Sequence, residues 1–88
     1  MYAVVRTNNY NYEDIEVNVF DTEEEAIKFL HDDWQEYYNI ELAESMTPLN
    51  EEQCYHEDDF AKVEWINTDQ TWWMLTYAYK REKLGDEC

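Results

Sequence analysis

Glycine and proline are almost missing from these 88 residues, with one of each, Gly85 and Pro48. The lone glycine lies near the C-terminal end, so there is no Gly-rich loop to cradle a phosphate. Cysteine is confined to Cys54 and Cys88. Two cysteines, one in an expected loop and one at the last position, predict free thiols and a reducing compartment. Neither a paired CxxC nor a glycine-containing calcium loop occurs, so no metal site and no cofactor is expected. Bases are scarce: six Lys and Arg stand against 22 Asp and Glu, a formal net charge of −16. That field disfavours direct binding to nucleic acid or to an anionic membrane and favours a basic protein partner. No apolar run is long enough to span a bilayer, and no charged-then-apolar leader opens the chain. These absences predict a cytoplasmic protein.

What is present points to a folded domain. Hydrophobic residues make up 44% and aromatic residues 17%, more than a disordered acidic chain carries. One compact domain over residues 1–80 and a polar tail over 81–88 are expected. The charge is unevenly spread. Residues 21–45 carry −8 and residues 46–59 carry −5, so these two stretches hold −13 of the −16.

Residues 21–45 read as one long amphipathic helix. Thr22 followed by Glu25 makes a capping box, and Glu23, Glu24 and Glu25 sit in the first turn, where the helix dipole favours negative charge. Ile27, Leu30, Trp34, Tyr38 and Leu42 recur at helical spacing, with Ala26 and Tyr37 beside them. At roughly 100° per residue, Glu25, Asp32 and Glu36 fall within about 40° of one another on another arc. Phe29, Asp33 and Ile40 flank that acidic row, and His31 lies on a polar flank, expected in solvent.

Strands are predicted on either side. Residues 2–7 are rich in β-branched and aromatic side chains, and Asn8-Asn9 supplies turn chemistry. Residues 15–20 alternate, with Ile15, Val17 and Val19 on one face and Glu16, Asn18 and Phe20 on the other. Pro48 ends any continuation of the helix. Residues 46–59 read as a long acidic loop with a short helical turn capped by Asn50. Residues 61–66 and 71–80 supply two more strands, the latter apolar on both faces and therefore central. The order β-β-α-β-β predicts an α+β fold: a four-stranded antiparallel sheet with one long helix packed on one face. The uncovered face is expected to carry aromatics such as Phe20 and some of Trp72, Trp73, Tyr77 and Tyr79.

Catalysis finds no support in these residues. Cys54 stands two positions from His56, but acidic neighbours raise a thiol pKa and blunt its reactivity. His56, Glu57, Asp58 and Asp59 would offer metal ligands, yet a solvated acidic loop accounts for them. The acidic stripe is different. A solvated helix face ordinarily mixes signs to gain i,i+4 pairs, and this one has Lys28 as its lone base. Carboxylates about 6 Å apart along a rigid rod, as at Asp32 and Glu36, can imitate a phosphate backbone. A groove lined with Lys and Arg would then accept this protein in place of DNA. The residues expected to meet such a partner are Glu23, Glu24, Glu25, Asp32, Asp33 and Glu36 on the helix and Glu51, Glu52, Glu57, Asp58 and Asp59 in the loop. Phe29 and Ile40 would serve as apolar anchors, provided the loop does not bury them.

In size, charge and layout, with Glu23, Glu24, Glu25, Asp32, Asp33 and Glu36 on a short α+β chain, the protein resembles the small acidic DNA-mimic inhibitors of phages and mobile elements, the anti-CRISPRs among them. The resemblance implies a non-enzymatic inhibitor acting in a bacterial host cell on a nucleic-acid-binding nuclease. A Cas9-type enzyme, whose PAM-reading cleft uses arginines, is one such target. A second expectation, from a different class, is an interaction module that forms a homodimer through the aromatic sheet face.

Overall fold

The computed structural model describes residues 1–11 and 13–77. Two early strands, β1 (Tyr2–Asn8) and β2 (Glu16–Phe20), form a hairpin. The helix α1 (Glu23–Glu44) follows, then a single 3-10 turn (Glu51–Gln53), and then β3 (Tyr55–His56), β4 (Phe60–Glu64) and β5 (Gln70–Tyr77). All neighbours are antiparallel, in the order β2-β1-β5-β4-β3. The sheet thus has five strands rather than four. The added one, β3, lies inside the stretch expected to be loop, where Tyr55 pairs with Lys62 and His56 with Ala61. Two residues between a 3-10 turn and a bend leave too little alternation to read from sequence. The apolar strand β5 is central, as its two-sided hydrophobicity predicts.

Helix α1 starts as its first residues dictate. The Glu25 amide donates to Thr22 Oγ1 at 3.2 Å and the Thr22 amide to Glu25 Oε1 at 3.4 Å, which completes the capping box. Ala26, Leu30 and Trp34 are buried against Val4, Ala61, Val63, Trp65 and Trp73. Trp34 donates its indole N–H to the Lys62 carbonyl at 2.9 Å, so the ring is anchored at its polar end as well as packed. Leu42, expected on the core stripe, is exposed: at roughly 100° per residue it lies about 80° beyond Trp34, outside the arc that Ala26, Leu30 and Trp34 bury. Asn50 precedes the 3-10 turn but makes no side-chain cap bond. The tail expected over 81–88, and the end of the last expected strand, lie outside the described residues.

Register decides which side chains meet the helix. Directly opposed residues of an antiparallel pair share a face. Tyr2 opposes both Phe20 and Tyr77, and Arg6 opposes Trp73. Phe20 therefore points to the helix side, where its ring lies 5.1 Å from that of Phe29. Trp73 is fully buried there. The expectation that the uncovered face carries Phe20, Trp73 or Tyr77 is corrected: of the described aromatics it named, that face holds Trp72. Val17 and Val19, the opposite set on β2, are exposed, as is Ile15 just before the strand.

Candidate functional site

The acidic row emerges along one flank of α1. Glu25, Asp32 and Glu36 are exposed, and at 1.5 Å per residue they span about 16 Å of helix. Glu23 and Glu24 are exposed in the first turn. Lys28 reaches Asp32 at 2.6 Å, an i,i+4 pair on the surface. Such exposed pairs contribute at most about 1 kcal/mol, so a competing cation can displace it.

Both apolar flank residues stand clear of the 46–59 loop. Phe29 floors an open cleft of about 530 Å³ between the helix and the β2 edge, lined also by Val19, Phe20, Asp21, Glu25, Lys28 and Asp32. Ile40 is 45% exposed. It borders a second depression with Arg6, Asp33, Glu36 and Tyr37. The row is thus edged by two recesses, each with carboxylates beside apolar or aromatic surface. Val19, Phe20 and Asp21 were not foreseen as part of this site. The pairing of β2 with β1 turns Phe20 towards α1, while Val19, opposite Ala3, belongs to the other face and meets the cleft at the sheet edge.

Asp33 is placed differently from its expected outward position. Its Oδ2 lies 3.1 Å from Arg6 Nη1 and accepts the Trp73 indole N–H at 2.9 Å. Arg6 also pairs with Glu16 at 2.6 Å and sits over the Tyr37 ring. Asp33 is therefore a lock between helix and sheet. Its helical angle borders the core arc, which is the one sequence signal for this role.

The loop acids lie on the other flank. His31, expected in solvent, is half-buried. Its Nε2 donates to the Glu57 carbonyl at 3.1 Å, with an Asp58 oxygen 3.5 Å from the same nitrogen. The His56 ring rests 4.6 Å from His31 and 4.7 Å from Trp34. Glu57, Asp58 and Asp59 are exposed beside this stack, and Glu51 and Glu52 are exposed on the 3-10 turn. The expected single acidic field is in fact two. One runs along the β2 flank of α1 and the other along the β3 flank, with Lys28, Gln35 and Asn39 on the exposed helix surface between them.

Cys54 ties the 3-10 turn to β4. The Glu64 amide donates to its sulfur at 3.4 Å, and the thiol donates to the Asn50 carbonyl at 3.4 Å. Burial pushes the Cys54 thiol above its ordinary pKa and Glu51 and Glu64 add to this, against the opposing Glu64 N–H. An enriched thiol form is a poor nucleophile. Among the described residues no group of three or more His, Cys, Asp or Glu is placed to hold a metal ion. Among them, too, no helix is long and apolar enough to cross a membrane. No family model, curated protein or solved structure matches the chain significantly.

Proposed function

We propose that this protein is a DNA-mimic inhibitor that occupies the basic nucleic-acid-binding groove of a host defence nuclease, in the manner of anti-CRISPRs, with a Cas9-type enzyme as one candidate. The observation that carries this reading is the exposed row Glu25, Asp32 and Glu36 on a rigid helix, edged by recesses holding Phe29 and Ile40. A flexible acidic tail would lose conformational entropy on binding, whereas carboxylates on a packed helix are already ordered. The second acidic cluster, at Glu57, Asp58 and Asp59, lies across the helix from the first. Two sets of carboxylates on opposite flanks of one helix suit a protein cleft that holds a duplex by the phosphates of both strands.

In this reading Glu23, Glu24, Glu25, Asp32 and Glu36 meet basic side chains of the target, and Glu51, Glu52, Glu57, Asp58 and Asp59 meet a second set. A target arginine entering the cleft over Phe29 would gain a carboxylate partner and an aromatic face together. The protein then acts by binding, with no chemical step of its own. DNA cleavage by a panel of purified nucleases, guide-loaded Cas9 among them, tests this. At least one enzyme is expected to be inhibited, about tenfold or more less strongly when salt rises from 50 to 200 mM. The double variant Asp32→Lys, Glu36→Lys should fold normally and lose inhibition. A panel left wholly active, or a double variant as potent as the wild type, would overturn the proposal.

A further inference from the structure

The sheet face away from α1 is apolar and nearly free of charge. Opposed residues make a row across four strands: Val17 opposes Val5, Val5 opposes Met74, and Met74 opposes Phe60. On β2 the exposure is high, at 56% for Val17 and 52% for Val19, and Met74 is 40% exposed. Among the described residues, the only acid and base that the strands place on this face are Glu64 and Lys62, which pair with each other at 3.2 Å. On a chain of net charge −16, a neutral apolar face of this kind needs a cover.

We propose that the cover is a second copy of this chain, seated face to face in a two-fold dimer. The residues beyond Tyr77 are a poor alternative, because 78–88 include three acids and three bases. A self-pairing surface must tolerate its own charges across the axis, and this face has a neutral balance. The like charges elsewhere select the geometry. Pairing the β2 edges would set both helices on one side and bring the two clefts bearing Asp21 and Glu25 towards each other. Stacking the faces puts each helix on an outer surface. With layers about 10 Å apart, the helices are then some 30 Å from one another, several Debye lengths at 0.15 M salt.

The footprint is modest. Four to five strands at about 4.8 Å spacing and five residues at about 3.3 Å each give roughly 20 × 16 Å. That is less than half of a standard interface side, so the dimer is expected to be weak, in the micromolar range or above. The dimer stands independently of what the acidic residues bind.

Sedimentation equilibrium between 1 and 200 µM tests this at 50 and 500 mM NaCl. The wild type should dimerise and do so more tightly at high salt, where the residual repulsion is screened. That is the opposite sign to target binding through the acids, so either idea can fail alone. Val17→Lys should abolish dimerisation, and the milder Val17→Thr should weaken it several-fold; neither should change the circular dichroism spectrum. Asp32→Lys with Glu36→Lys should still dimerise. A wild type that stays monomeric at 200 µM in 500 mM NaCl overturns the proposal, as does a folded Val17→Lys dimer. A concentration-dependent gain in exchange protection of β2 amides would mean edge pairing instead, and would overturn it equally.

Discussion

Asp33 shows how one side chain in an acidic helix can be diverted from the surface. It accepts from Arg6 and from the Trp73 indole, and removing it leaves two donors without that partner near the core. Asp33→Ala should cost about 2–3 kcal/mol in denaturant unfolding, whereas the exposed Asp32→Ala should change stability by less than about 0.5 kcal/mol. Tyr37 carries a second residue-scale expectation. Its hydroxyl lies 3.2 Å from Thr71 Oγ1 and 3.4 Å from the Tyr10 hydroxyl. Burial, above all, pushes its pKa well above the ordinary 10.0, with the Tyr10 contact raising it further and the Thr71 contact lowering it. The unfolded chain therefore loses the Tyr37 proton first as pH rises, and folding stability is complete below pH 10 and falls above it. Unfolding free energies at pH 8 and 11 should show that loss in the wild type and less of it in Tyr37→Phe.

Among the elements, the helix is the most self-specified and the sheet the least. The capping box that opens α1 follows from Thr22 and Glu25 alone, and their bonds are both made. Thr22→Ala should cost about 1 kcal/mol of stability, measured by thermal or urea unfolding. The strand periodicities were also legible, with Ala61, Val63 and Trp65 buried together on the β4 side. The fifth strand was not legible, because two residues carry no period. Nor was the inward face of β2, since Val17 and Val19 are the more hydrophobic set and yet point outward. What turns Phe20 inward is its register opposite Tyr2 and its contact with Phe29. That contact joins a strand and a helix through a turn whose geometry sequence periodicity does not specify.

For the whole molecule, charge is the organising quantity. A net −16 is spread unevenly by the fold, with an acidic flank on either side of the exposed helix surface and a sheet face behind it that carries little charge. Self-repulsion on this scale destabilises the compact state, and the fold lowers it by keeping most of its acids exposed. The same division gives the two proposed interactions opposite salt dependence, tighter dimers and weaker target binding as salt rises. Much of the candidate site was legible as composition and helical spacing: Glu25, Asp32 and Glu36 are exposed in a row with Phe29 and Ile40 beside them. The cleft lining from Val19, Phe20 and Asp21, the separation of the loop acids onto the other flank, and the withdrawal of Asp33 were not.

By itself the sequence determined the helix, its start, the strand periods, the central place of the last strand and the acidic surplus. Each of these depends on neighbours within a few positions or on composition, where local sterics, capping and burial on both faces dominate. Tertiary structure alone decided which side of β2 meets the core, which acids remain at the surface and how far apart the two acidic flanks lie. These depend on partners that are remote in the chain: Asp33 finds Arg6 and Trp73, and His31 finds Glu57. A period-2 pattern has two equivalent faces until a helix covers one of them. The side that α1 covers makes the other the bare apolar surface.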